Sequence, residues 1–247
     1  KNNYFLFLII STFISSEIII FLSGERTAFF FLNLSALFII ILSPKFRILR
    51  FSMLIISAFI IILISLKFPL YKERIFDQTL TQFNISINKD EKLSEQFKDK
   101  NIHIFSHKHH SHYLSAYKIF LDHKIIGIGP KNFRNVCSKE KYFTNKYSCT
   151  SHPHNTYVQL LAETGLLGFI IVFFIFMTLI AYSFKHLYFQ IYKKRLLFNS
   201  YQVSLMSAIL ITLWPLAPSG SFFNNWINVI YFFPIGFLLQ SLSKKIN

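Results

Sequence analysis

The sequence predicts an all-α polytopic membrane protein with about six transmembrane helices and one large, partly helical extracytoplasmic loop. Three observations predict it. Hydrophobic residues make up 53% of the 247 positions and aromatics 18%, with 31 Phe. Charged residues reach only 15%, well below the quarter usual in soluble domains. The basic residues lie between apolar runs instead of on one compact body, so the net charge of +15 fits loops facing anionic lipid. Membrane lipids are the expected partner of that charge, and nucleic acid is not.

A span needs roughly 17 to 25 mostly apolar residues. Six runs qualify: 4–22, 27–42, 51–67, 165–183, 202–218 and 226–242. The fifth, which holds Trp214-Pro215 and Pro218, is the weakest. The first is too long and too aromatic for a signal-peptide core, and no small-residue cleavage site follows it. The chain opens on Lys1 and enters this run at once, so a processed or truncated chain with further spans is expected. Lys and Arg gather in "SPKFRILR" (43–50), "SFKHLYFQIYKKRLLFNS" (183–200) and the tail "SLSKKIN". With six spans all three fall on one side, which short basic loops mark as cytoplasmic. Gly24–Arg26, segment 68–163 and "SGSFFNN" (219–225) fall on the other.

The expected organisation is therefore three helices in 1–67, a loop in 68–163 carrying the active site, and three helices in 164–247. The loop is too long for an unstructured connector. Its periodic pieces near 73–87 and 111–122 read as short amphipathic helices. Both cysteines, Cys137 and Cys149, fall in it, and an oxidising compartment predicts a disulfide between them.

Eight of the nine histidines also lie there. The run "HIFSHKHHSH", from His103 to His112, has irregular spacing and no supporting carboxylate or thiolate, so it reads as a solvated loop and no metal site is expected. His152 and His154 differ. Pro153 stops a helix from running back through them, and Asn155 or Thr156 is a good N-cap for a helix beginning at about Tyr157. The positive end of that helix disfavours the imidazolium, so His154 would be neutral and able to accept a proton. The helix then continues as a rigid rod into the apolar run. Local sequence does not choose between a capping histidine and a general base, nor between His152 and His154 as the base.

Arg26, in "FLSGERTAFF", stands at the mouth between the first two runs, and Arg74, in "YKERIFDQ", follows the third on the same face. Arginine presents a fork that grips phosphate bidentately, although snorkelling to the interface would also account for Arg26. In "IGIGPKNFRNVC", Gly127-x-Gly129 lacks a third glycine and precedes Pro130, which excludes a dinucleotide loop. A tight turn approaching a ligand or a neighbouring helix is expected, with Arg134 as another donor. The loop's acids form no DxD-like pair for a metal-bound sugar nucleotide.

"HKIIGIGPKNFR" followed by "SHPHNTYVQLLAETGLLG" and a span resembles the O-antigen ligase and O-antigen polymerase family of bacterial envelopes. The resemblance is carried by Gly127, Gly129, Phe133, His154, Asn155, Tyr157, Leu161, Glu163, Gly165 and Gly168. "SGERTAFF" and "SHYLSAYKIF" also look like family stretches. The family carries around a dozen spans, so this chain resembles its C-terminal portion. The resemblance implies glycosyl transfer without metal or cofactor at the periplasmic face of the inner membrane. The donor would be an undecaprenyl-diphosphate-linked oligosaccharide and the acceptor lipid A-core or another glycan. It further implies that Arg26 binds the diphosphate and that His154, with His152 as alternate, takes the acceptor proton. Arg74, Arg134, Gly127, Gly129, Asn155 and Tyr157 would contact substrate. Ligation to lipid A-core is favoured over polymerisation or transfer to protein. A lipid-linked glycan transporter is the non-enzyme rival; it would place charges within the spans, where only Glu17 is clearly intramembrane. A histidine-rich metal-sensing loop is a second rival.

Overall fold

A computed structural model of the protein describes residues 2–82 and 106–243. His103, the end of the expected 73–87 helix and the basic residues Lys244 and Lys245 lie outside the described residues. Among the described residues there is no strand. The helices are α1 (Asn2–Ser23), α2 (Arg26–Leu42), α3 (Arg47–Lys67), α4 (Pro69–Lys72), α5 (Gln78–Gln82), α6 (His107–Asp122), α7 (Phe133–Val136), α8 (Thr156–Tyr192), α9 (Ser200–Thr212) and α10 (Asn225–Ser243), with a π-helical turn at Glu73–Asp77.

α1, α3, α8 and α10 are long and apolar enough to cross a membrane. α2 and α9, with 17 and 13 residues, extend only about 26 and 20 Å at 1.5 Å per residue. The fifth expected span, 202–218, is thus helical only to Thr212. Pro215 restricts the residue before it to extended backbone, and the chain turns out of the helix at Leu213. At its other end, α9 begins with a capping box in which Asn199 and Gln202 satisfy each other's backbone N–H groups.

The chain packs as two compact units. The first comprises 1–32 and 48–110. Its core is Phe21, Ile61 and Ile75, with Phe29, Ile64 and Tyr71 against them; the Phe21 and Phe29 rings meet edge to face at 6.0 Å.

The second unit comprises 33–47 and 111–247 and has two cores. One joins α8, α9 and α10 through Tyr157, Phe176, Met206, Ile209, Leu210, Leu213 and Leu238. The other lies in the loop: Ala116 and Ile119 of α6 pack with Phe133, Cys137, Tyr142 and Ala162. Their spacing with buried His112 is one face of a helix, as the amphipathic pattern requires. Cys137 and Cys149 are joined as a disulfide, Cα–Cα 5.3 Å. His186, the one histidine outside the loop, is fully buried; its Nε2 lies 2.8 Å from the Leu42 carbonyl, and its Nδ1 accepts from Phe198 N–H.

Two expectations are corrected. The run from His107 to His110 is not a solvated loop but the first turn of α6, because the Ser106 hydroxyl accepts from the His109 N–H and supplies a start signal. Nor is α8 a continuous rod, since Gly165 interrupts it at φ 62°, ψ −158°. That backbone region is open essentially only to glycine.

Candidate active site

The break at Gly165 explains the glycine pattern. Breaking a helix frees the last carbonyls before the break and the first N–H groups after it. Ile128 and Gly129 donate their N–H groups to the carbonyls of Ala162 and Glu163, at 3.1 and 2.9 Å. The carbonyls of Lys124 and Ile125 accept from Leu166 and Leu167, at 2.8 and 3.3 Å. The loop segment 124–129 therefore plugs both sides of the break. A Cβ on Gly165 would strike the Ile125 carbonyl, and one on Gly127 would strike the backbone of Glu163 and Thr164. The expected turn thus makes its close approach to a neighbouring helix. Glu163, fully buried, fixes the same junction: its carboxylate accepts from Phe133 N–H and from the Gln159 amide, both at 2.9 Å.

Ten residues before the break, Asn155 is the N-cap of α8; its Oδ1 accepts from the N–H groups of Tyr157 and Val158 at 3.0 and 3.2 Å. Its Nδ2 donates to the Pro215 carbonyl at 2.8 Å. Tyr157, also buried, donates its hydroxyl to the Leu213 carbonyl at 2.7 Å. Gln159 bonds Ser221 Oγ and Phe222 N–H. Segment 213–222 is thus stitched along the first turns of α8, an arrangement with no local sequence signal because its partners lie about sixty residues apart. Asn155 and Tyr157 use their polar atoms within this stitching.

His154 sits where these elements meet. Its backbone is left-handed, φ 59°, an uncommon state for a residue with a side chain. Its carbonyl accepts from Ser219 N–H at 2.9 Å and, more distantly, from the Tyr113 hydroxyl at 3.5 Å. Burial raises the pKa of Tyr113, so that hydroxyl remains a donor. Strained backbone held by surrounding structure is a feature of functional sites. Three imidazoles gather here: the His154 ring centroid is 4.2 Å from that of His152 and 5.6 Å from that of His112. Thr150 Oγ1 lies 3.4 Å from His154 Nε2, and Ser151 Oγ lies 2.9 Å from His152 Nδ1. Among the described residues, no group of three or more His, Cys, Asp or Glu is arranged to hold a metal ion.

Burial lowers the pKa of His154, and the α8 N-terminus acts in the same direction. His152 is pushed down to about 4, chiefly by burial and then by the neighbouring His154, with smaller contributions from Arg134 and His112. The Ser219 backbone partly offsets this without completing a hydrogen bond to the buried Nε2. Both rings are therefore neutral at neutral pH, as a proton acceptor must be. A base with a lowered pKa stays competent as pH falls, so activity should hold through pH 6.5, where an ordinary histidine half-titrates, and decline only at lower pH. A pH–rate profile breaking at or above 6.5 would contradict this.

In the first unit, Arg74 belongs to the π-helical turn and its side chain lies across Gly24; a Cβ there would approach Arg74 Cδ to 2.5 Å. Arg26 begins α2 close enough for the Arg74 charge to act on it, with Glu25 opposing. Arg26 and Arg74 thus lie near one another in the first unit. Arg134, on α7, is exposed and lines a groove in the second unit that also includes His152.

A protein-family comparison finds that residues 9–173 match the model described as O-Antigen ligase. The match covers well over half of the chain. This protein belongs to the O-antigen ligase family. No curated protein and no solved structure matches the chain.

The O-antigen ligase match spans Arg26, Arg74, the 127–129 turn, Arg134, His152, His154 and the helix break. With the four long apolar helices, it makes this chain a multi-pass membrane protein and an enzyme of membrane glycan processing. Beyond the motif lie the contributors that motif reading missed: Thr150, Tyr113, Ser219 and Ser221. Tyr113 alone carried a signal, as part of the amphipathic α6 stretch.

Proposed function

We propose that this O-antigen ligase family member transfers a glycan from an undecaprenyl-diphosphate carrier to an acceptor hydroxyl at the periplasmic face of the inner membrane, without a metal, the acceptor being lipid A-core. The observation that carries the reading is the half-buried, neutral His154, held in left-handed backbone beside two further imidazoles. In the proposed step the acceptor oxygen forms a bond to the anomeric carbon as the bond from that carbon to the diphosphate breaks. The hydroxyl proton passes to His154, with His152 as the alternate base. The electron pair leaves with the diphosphate, whose charge is the assigned target of Arg26 and Arg74. Arg134 is assigned to substrate, and Gly127, Gly129, Asn155 and Tyr157 serve by shaping the loop–helix junction.

Arg26→Lys keeps the charge but loses the planar fork. It should reduce transfer by tenfold or more, on the order of the 1.4 kcal/mol that separates decades in rate; wild-type turnover would remove the clamp assignment. Envelope glycan profiling of a deletion strain tests the reaction itself. Unmodified lipid A-core with long chains still on the carrier identifies a ligase, and single repeat units on the core identify a polymerase.

A further inference from the structure

Beside the imidazoles, the second unit carries a groove of about 750 Å³, within the roughly 300–1,000 Å³ typical of small-molecule sites. One wall is the α7 region, with Lys131, Asn132, Arg134 and Asn135; the other is the start of α10, with Trp226; His152 lies in its lining. Three features give it a chemical character. No residue lining it is acidic, while Lys131 and Arg134 are both exposed; neither side chain forms a hydrogen bond or ion pair with another described residue. The Trp226 indole is 86% exposed, and although interfacial tryptophans anchor membrane helices, this one also forms a wall of a polar groove. Finally, Asn135 donates its Nδ2 to Asn132 Oδ1 at 3.1 Å, and Asn135 is itself exposed.

A ligand matched to this surface has a flat apolar face for the indole, hydroxyls for the amides, and negative charge for the two cations. Neutral glycans lack the charge, and a bare diphosphate lacks the face. We propose that this groove is a subsite for an acidic sugar, one bearing a carboxylate or phosphate ester, on the acceptor. Its ring packs on Trp226 and its anionic group lies against Lys131 and Arg134. The groove reaches His152, whose ring is 4.2 Å from that of His154, so a sugar bound there is delivered to the base. The acceptor role rests on the transfer reading above; the preference for an acidic sugar does not.

The test uses the full-length protein in detergent or nanodiscs, with tetragalacturonate as probe and its fully methyl-esterified counterpart as the neutral control. Wild type should bind the acid at least tenfold more tightly than the ester. The double substitution Lys131→Gln with Arg134→Gln should abolish that preference. Trp226→Ala should weaken both probes about tenfold, and Trp226→Phe should restore them. Equal binding of acid and ester by wild type, or an undiminished preference in the double variant, overturns the proposal. So does displacement of the probe by inorganic pyrophosphate combined with wild-type affinity in Trp226→Ala, which would mark a diphosphate site. His154→Ala separates this proposal from the catalytic one: it should retain probe binding whether or not it retains transfer. Retained transfer would then fault the base assignment alone.

Discussion

His154→Ala should abolish glycan transfer while leaving expression and membrane insertion intact. A positioned general base contributes roughly 10²- to 10⁴-fold, and the His154 ring stands among two other imidazoles and the Thr150 hydroxyl. The fold holds this position mainly through backbone, since Ser219 N–H bonds the His154 carbonyl. Removing the ring therefore removes the proton acceptor without cutting the loop's attachment. A membrane assay with the lipid-linked donor measures the loss, and full retained activity would sink the assignment. His152→Ala provides the comparison. If His154 is the base, the His152 variant loses less.

Gly165→Ala is expected to be strongly destabilising. The backbone at φ 62°, ψ −158° lies in a region open essentially only to glycine and costs an alanine about 1–3 kcal/mol. The added Cβ would overlap the Ile125 carbonyl, and overpacking of this kind costs roughly a further 1–3 kcal/mol. Relief requires segment 124–129 to withdraw, which exposes the carbonyls of Ala162 and Glu163 and the N–H groups of Leu166 and Leu167. The measurable result is a lower thermal stability, together with protease cleavage near residues 124–129. Gly236→Ala is the control, because a Cβ there meets nothing within 4 Å. Equal stability of the two variants would contradict the plugged-break account.

How much of this was legible in the sequence depended on the range of each interaction. The apolar runs announced the membrane helices because span length and composition are local. The Asn155 cap was legible because the N–H donors its Oδ1 accepts from lie two and three residues away. The interruption at Gly165 was not: "ETGLLG" has helical periodicity throughout, and the break is stable only because a segment some forty residues upstream supplies the missing partners. The fifth span showed its weakness through Pro215 and Pro218, but not that the chain beyond it stitches α8. The paired glycines 127 and 129 signalled close approach and left its partner open. Arg26 and Arg74 were readable as neighbours only through the expected topology.

The stitching of segment 213–222 to the start of α8 has a consequence for biogenesis. The bond that fixes the His154 carbonyl comes from Ser219, and the partners of Asn155, Tyr157 and Gln159 lie between Leu213 and Phe222. All of these emerge from the ribosome only after α8 and α9 have been delivered to the membrane. A nascent chain arrested before residue 213 therefore carries every histidine of the loop but none of these fastenings, and the enzyme is assembled for chemistry only once residues 213–222 have been made.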